Sequence, residues 1–112
     1  MNKSALLKEI VSTYQKYGWK LRRVLLTVQT RESFTANPND LFPDTWIETA
    51  NFDAAWFSRP SSDKREAWEL RVISAQPFAL FETFPNNLTE TNLDKTRREM
   101  EIRLFDKVSL SK

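Results

Sequence analysis

The chain has 112 residues, with 17 Lys and Arg against 15 Asp and Glu, which gives a formal net charge of +2. It contains no histidine, no cysteine and one glycine. This composition excludes disulfides, thiolate or imidazole metal sites, His-dependent catalysis and glycine-rich phosphate loops. Eight Phe and four Trp supply apolar area for a hydrophobic core. Together with the chain length, this predicts a single folded domain over residues 1–112.

The first predicted element is a helix over residues 4–17, where apolar residues recur at the spacing of one helical face. Gly18 follows directly, and a residue that tolerates the left-handed conformation is typical of the position after a helix end. Residues 19–29 are rich in branched side chains and predict a strand. Because their alternation is imperfect, either a bulge shifts the register after Arg22 and Arg23 or the later half is buried on both sides.

Residues 30–52 carry the weakest pattern in the chain. The turn sequence Asn-Pro-Asn-Asp at 37–40 divides the segment. Residues 33–36 predict at most a short strand, and residues 44–50 predict a helical turn or a strand. The segment therefore adds one strand, two strands or none to the fold.

From residue 53 the pattern predicts three strands, over 53–59, 66–75 and 78–84, which form an antiparallel meander. A second helix is predicted over 90–108. The expected class is α+β: a two-layer sandwich in which an antiparallel sheet of four or five strands carries the N-terminal and C-terminal helices on one face.

Charge is unevenly distributed along the chain. Residues 1–31 hold seven cations and one anion, a net +6, whereas residues 32–58 hold five anions and no cation. Such asymmetry bears on partners rather than on fold. The candidate anion-binding residues are the cations on and around the first strand: Lys16, Lys20, Arg22, Arg23 and Arg31.

Three interpretations of this basic cluster stay open. Its arginines could contact phosphates beside Trp19, which would stack a nucleic-acid base. Its charges could instead protect an edge strand from pairing with another chain, or they could pair with the acidic segment 32–58 of the same chain or of a second copy. On a regular strand Lys20 and Arg22 share one face, and Arg23 lies on the other.

An aromatic cluster in the weakly patterned segment is the second candidate site. Phe34, Phe42 and Trp46 would anchor a protein partner if exposed, and alternatively they fold back to cap the core. The predicted strands carry bulky apolar residues on both faces of the sheet. The two helices are expected to cover only one of these faces, so a second copy of the chain would cover the other. The sequence therefore predicts a homodimer.

A carboxylate series is the third feature. Asp40, Asp44 and Glu48 are spaced by four and would hold a hard cation if they lined one helix face. Pro43 argues against a continuous helix there, so a solvated loop is the preferred interpretation. Neither a metal nor another cofactor is predicted, and no residue is assigned a catalytic role.

The leading functional hypothesis is a non-enzymatic protein-interaction and homodimerisation module. The first alternative is a nucleic-acid or polyanion-binding module that uses the basic first strand, and the second is a small-ligand-binding protein or an enzyme relying on carboxylates alone. No membrane partner is expected, because the longest uncharged apolar-rich stretch, 72–81, is too short for a span and contains a proline. The absence of a signal-peptide pattern and of cysteines favours the cytoplasm.

Overall fold

A computed structural model describes residues 3–110. The elements in chain order are α1 (Lys3–Lys16), β1 (Lys20–Leu26), α2 (Val28–Glu32), α3 (Pro38–Leu41), β2 (Trp46–Thr49), β3 (Ala54–Pro60), β4 (Arg65–Val72), β5 (Ala79–Pro85) and α4 (Glu90–Leu110). The strands form one sheet in the order β2-β1-β3-β4-β5. This arrangement confirms the α+β class, the meander of β3 to β5 and the helices at both ends of the chain.

The sheet is mixed rather than purely antiparallel, which corrects the prediction. β2 pairs with β1 in the parallel direction, whereas every other pairing is antiparallel. The short helices α2 and α3 connect β1 to β2, and a connection of this length is what a parallel neighbour requires. The segment 30–52 therefore adds one strand, and residues 33–36 form none.

The start of α2 explains why β1 is shorter than predicted. Thr27 adopts an extended backbone, and its side-chain oxygen accepts a hydrogen bond from the backbone N–H of Thr30 at 3.2 Å. This is an N-terminal helix cap. Asp53, immediately before β3, accepts hydrogen bonds from the Thr27 backbone N–H (2.8 Å) and the Thr30 hydroxyl (2.7 Å). The buried carboxylate thus fixes the connection after β1 to the start of β3.

The two long helices pack on opposite faces of the sheet, so the predicted two-layer arrangement with both helices on one face is wrong. Ala55 and Phe57 of β3 pack with buried residues of α1, whereas Ala54 and Trp56 pack with those of α4. Successive residues of a strand point to opposite faces. The molecule therefore has three layers, with an α1 face and an α4 face of the sheet.

The end of α1 confirms the predicted role of Gly18. Its φ angle is +86°, its N–H donates to the Gln15 carbonyl at 3.1 Å, and the N–H of Trp19 donates to the Tyr14 carbonyl at 3.0 Å. This pair of bonds is the Schellman motif, which needs a left-handed residue at the glycine position. It turns the chain directly into β1.

Tyr14 joins α1 to two strands of the sheet. Its ring stacks on Phe57, with ring centroids 4.0 Å apart, and its hydroxyl donates a hydrogen bond to the carboxylate of Glu69. Burial, the hydrogen bond to Glu69 and the negative charge of Glu69 together raise the pKa of the Tyr14 hydroxyl far above its ordinary value.

This raised pKa predicts a loss of stability in alkali. The folded state retains the Tyr14 proton when the unfolded state releases it, so the stabilisation is complete below the ordinary tyrosine pKa of about 10 and declines as pH rises above it. Tyr14→Phe should therefore show a shallower alkaline decline in the free energy of unfolding, measured by urea titration at neutral and alkaline pH. Equal declines for the two proteins would contradict this explanation.

Within residues 3–110 no helix is both long and apolar enough to cross a bilayer. The longest, α4, has 21 residues and carries charged side chains throughout.

Candidate anion-binding site

A bulge in β1 determines where its arginines point. Leu21 pairs with Phe57 and Arg23 pairs with the adjacent Trp56, so Arg22 is an extra residue in the strand. Of the two explanations for the imperfect alternation, the bulge is therefore the correct one. It also brings Arg23 onto the α4 face, where its guanidinium lies 3.7 Å from the carboxylate of Asp94.

The bulge gathers three cations on the α4 face. The Arg22 guanidinium carbon lies 5.6 Å from the ring centroid of Trp68, a residue of the α4 core. Lys20 pairs with Ser58, which shares its face with Trp56. The expectation that Arg23 lies opposite Lys20 and Arg22 is thus wrong, because a regular strand was assumed.

Two buried indoles form the floor beneath these cations. Trp56 and Trp68 meet edge to face, with centroids 6.0 Å apart and an interplanar angle of 74°. The indole N–H of Trp56 donates to Glu101 and that of Trp68 donates to Glu66, both at 2.8 Å. Because both polar tips have acceptors, the rings are fixed and present apolar faces to the cations.

Arg97 projects from α4 onto the same floor. It is 6% exposed, and its guanidinium carbon lies 5.0 Å from the Trp68 centroid. One terminal nitrogen bonds Glu90 at 2.7 Å and lies 3.6 Å from Asp94. The Nε atom is buried and has no hydrogen-bond partner among the described residues. A buried donor without a partner is costly.

Long ion pairs surround Arg23. Its guanidinium is 3.5 Å from Glu48 and 3.7 Å from Asp94, and the buried Arg23 Nη1 and Glu48 Oε1 atoms form no hydrogen bond within residues 3–110. These distances exceed those of good charge-assisted hydrogen bonds. The guanidinium of Arg23 therefore keeps donor capacity for a further acceptor.

Asp94 is held in its ionised form. A hydrogen bond from Arg98, at 3.0 Å, lowers the pKa of this carboxyl below its usual value, and the charges of Arg98, Arg23 and Arg97 act in the same direction. Asp94 thus connects α4 to Arg23 of β1 while it keeps its charge.

These side chains enclose a cavity of about 210 Å³, the arginine–tryptophan pocket. It is lined by Arg22, Arg23, Trp46, Trp56, Trp68, Glu90 and Arg97. Trp46 stands at the start of the edge strand β2 and is 67% exposed. A second cavity of about 430 Å³ shares Arg22 and Trp46 with the pocket and extends past Lys20 and Asp44.

The pocket lies where neither layer of helices covers the sheet. The connection between β1 and β2 packs on the α1 face, since its Phe34 and Phe42 contact that core, as does Ile47 of β2. On the α4 face the buried residues of α4 pack mainly against β3, β4 and β5. The α4 face is consequently open beside the helix at Arg22 of β1 and Trp46 of β2, whereas Leu25, further along β1, is buried in the α4 core.

The structure brings together part of each predicted site. Lys20 and Arg22 lie by the pocket with Arg23, whereas Lys16 is at the exposed end of α1 and Arg31 is in α2, beyond the opposite end of β1. The idea that these charges protect an edge is wrong, because β1 lies between β2 and β3. Pairing with the acidic segment is found for one of them, Arg23 with Glu48.

The three aromatic candidates, Phe34, Phe42 and Trp46, do not form one cluster in the structure. Phe34 and Phe42 fold back and pack against the α1 core, whereas Trp46 is exposed beside the arginines. Trp19 lies on the α1 face, where Arg59 stacks over it at 4.5 Å and its ring meets Phe81. The exposed aromatic ring beside the arginines of β1 is therefore Trp46 and not Trp19.

Sequence reasoning missed Trp56, Trp68 and Arg97 as site residues. Arg97 carried a usable signal, because it falls in the apolar stripe formed by Leu93, Met100 and Leu104. A charged residue at a core position is seldom buried without a partner or a function. The tryptophans carried no such signal, since rings of this kind also fill ordinary cores.

The carboxylate series does not form a metal site. Asp40 lies in α3, Asp44 follows it and Glu48 lies in β2 beside Arg23. In the part of the chain that the structure describes, no group of three or more acidic side chains is placed to hold a metal ion.

A larger cavity, of about 520 Å³, lies at the other end of the sheet between Phe52, Phe78 and Phe105. Its charged groups are Lys3 and Asp53, which lie 3.5 Å apart, and Asp53 already accepts the two hydrogen bonds that hold α2. Because these groups bond within the protein, this cavity offers a weaker case for a charged ligand than the arginine–tryptophan pocket.

Comparison with known proteins gives no match: no family model, curated protein or solved structure is significantly similar to this chain. The class of the molecule is therefore defined by its architecture alone. It is a three-layer α+β protein with a basic, tryptophan-lined pocket beside its C-terminal helix.

Proposed function

We propose that this protein is a non-enzymatic binding module that recognises an anionic group, a phosphate or a carboxylate, in the arginine–tryptophan pocket. The observation that carries this proposal is the buried guanidinium of Arg97, whose Nε has no partner within the described chain and which lines the cavity together with two further arginines. An anion in the cavity would give these donors acceptors.

The chemistry of the lining supports an anion over a neutral ligand. Three guanidiniums and one carboxylate, Glu90, line the cavity, so its wall is net positive. Arginine presents a planar fork of donors that matches the oxygens of phosphate and carboxylate groups. The indole of Trp68 holds the guanidiniums of both Arg22 and Arg97 by cation–π contacts, so these donors are positioned before a ligand arrives.

Two features favour binding without catalysis. The chain has no histidine or cysteine to act as a base or nucleophile at neutral pH. The carboxylates nearest the pocket, Glu48, Glu90 and Asp94, are each engaged with an arginine. We propose the cytoplasm as the compartment, which suits a chain without cysteines.

Titration with inorganic pyrophosphate at low ionic strength tests the proposal, with tryptophan fluorescence as the signal because three indoles line the pocket. The unmodified protein should give a saturable change, and Arg22→Gln should weaken binding about tenfold through loss of a charge-assisted hydrogen bond. Arg31→Gln removes the same charge far from the pocket and should bind like the unmodified protein. No saturable change, or equal weakening by both substitutions, would refute the proposal.

The argument that predicted a homodimer no longer holds. That argument required helices on one face only, whereas α1 and α4 cover opposite faces. Exposed aromatic rings do occur on the α1 face, at Phe81 and at Tyr17. Self-association and protein interaction therefore stay predictions from the sequence alone.

A further inference from the structure

We infer that the anionic ligand is single-stranded nucleic acid, with one base stacked on Trp46 and phosphates on either side of that ring. This inference rests on the proposed function and goes further, because it names the ligand class. Its starting observation is that Trp46 is shared by two adjacent cavities of about 210 and 430 Å³. A ligand that fills both would contact this exposed ring and Arg22, the two residues that the cavities share.

Cations lie on both sides of Trp46. Arg23 and Arg97 line the smaller cavity, Lys20 lines the larger one, and Arg22 borders both. Among residues 3–110 neither Lys20 nor Arg22 is ion-paired with a carboxylate. Their charges are therefore available, and the order along the surface is cation, planar ring, cation. A nucleic-acid strand has the complementary order, since each base branches from a sugar that links two successive phosphates.

A purely ionic ligand fits this surface less well. Glu90 lines the smaller cavity and Asp44 the larger one, so each basic patch contains a carboxylate that repels phosphate. Few phosphates can be neutralised here, and phosphate contacts alone would give weak binding. Stacking on an exposed indole adds affinity that does not depend on charge and is tolerant of sequence, since every base has a π face.

Single strands are favoured over duplexes because of the same ring. Bases in a duplex are stacked on one another and present only their edges in the grooves, whereas a single strand can place a base flat on Trp46. The short edge strand β2 positions that indole, and its pairing with β1 sets Trp46 beside Arg23. A phosphoserine or phosphothreonine peptide would satisfy the arginines but would leave the ring without a planar partner.

Fluorescence anisotropy with labelled deca-thymidylate tests this inference. The matched probe is an abasic strand of equal length and charge, and a thymidylate–adenylate duplex is the third probe. We expect deca-thymidylate to bind about tenfold more tightly than the abasic strand, the effect of one stacked base, and more tightly than the duplex. Trp46→Ala should reduce its affinity to that of the abasic strand. Tyr17→Ala, which removes an equally exposed ring on the α1 face, should leave the preference unchanged.

The outcomes separate this inference from the proposed function. Equal affinity for deca-thymidylate and the abasic strand, or a preference for the duplex, overturns the inference, while saturable pyrophosphate binding would keep the proposed function. Loss of the preference in Tyr17→Ala as well as in Trp46→Ala overturns it too, because stacking would then not be specific to Trp46. If neither pyrophosphate nor any strand binds, both proposals fail.

Discussion

Replacing Phe57 with alanine is expected to lower the free energy of unfolding by about 3–5 kcal/mol, the usual cost of deleting a buried phenyl ring. Phe57 is fully buried in β3 beneath α1, and its ring stacks against Tyr14 at a centroid distance of 4.0 Å. The substitution opens a cavity between helix and sheet and removes this stacking contact. Domains of this size are stable by about 5–15 kcal/mol, so the loss is a large fraction of the total.

Phe81→Ala is the matched control for this prediction. Phe57 pairs with Glu69 across β3 and β4, and Glu69 pairs with Phe81 across β4 and β5, so both phenyl rings stand in one row on the α1 face. Phe81 is 55% exposed, and its ring meets the edge of Trp19 with centroids 6.3 Å apart. Its removal should cost about 1 kcal/mol or less. Urea unfolding followed by tryptophan fluorescence measures both values, and similar losses would mean that α1 does not cover the sheet as described.

The local sequence pattern predicted the strands of this fold but not the positions of its helices. The strands β3, β4 and β5 were predicted to within a few residues, because alternation and turn residues are local properties. The placement of α1 and α4 on opposite faces was not predicted, because the periodicity of a helix is the same whichever face of the sheet it covers. Trp56 and Phe57 held the relevant clue: two adjacent large apolar residues in a central strand require cover on both faces.

The candidate site was only partly predictable for a related reason. The sequence indicated the basic character of Lys20, Arg22 and Arg23 and offered a bulge as one of two explanations. It could not show that the bulge turns Arg23 toward Asp94, a residue about seventy positions away in the chain. Contacts of this kind depend on tertiary packing, whereas the alternation and turn residues that mark a strand are local in sequence.

Arg97→Met is expected to separate binding from stability. Burying an arginine costs desolvation free energy, and apolar replacements of buried ion pairs are often neutral or stabilising. Glu90, its closest partner, has a side chain 80% exposed and would be hydrated once alone, and Asp94 would keep Arg98 and Arg23. Methionine can follow the path of the arginine stem across Trp68, so we expect the free energy of unfolding to change by about 1 kcal/mol or less.

Pyrophosphate affinity should instead fall at least about tenfold in Arg97→Met, because the buried guanidinium is the donor nearest the tryptophan floor and the loss of a charged hydrogen bond is seldom smaller. Arg98→Met removes the same charge from the next residue of α4, where the side chain is 60% exposed and bonds Asp94 outside the pocket lining. It should bind pyrophosphate almost as the unmodified protein does. If the two substitutions weaken binding equally, the arginine–tryptophan pocket acts only through its overall charge; if Arg97→Met unfolds the protein while binding is retained in the folded fraction, the role of Arg97 is to attach α4 to the sheet.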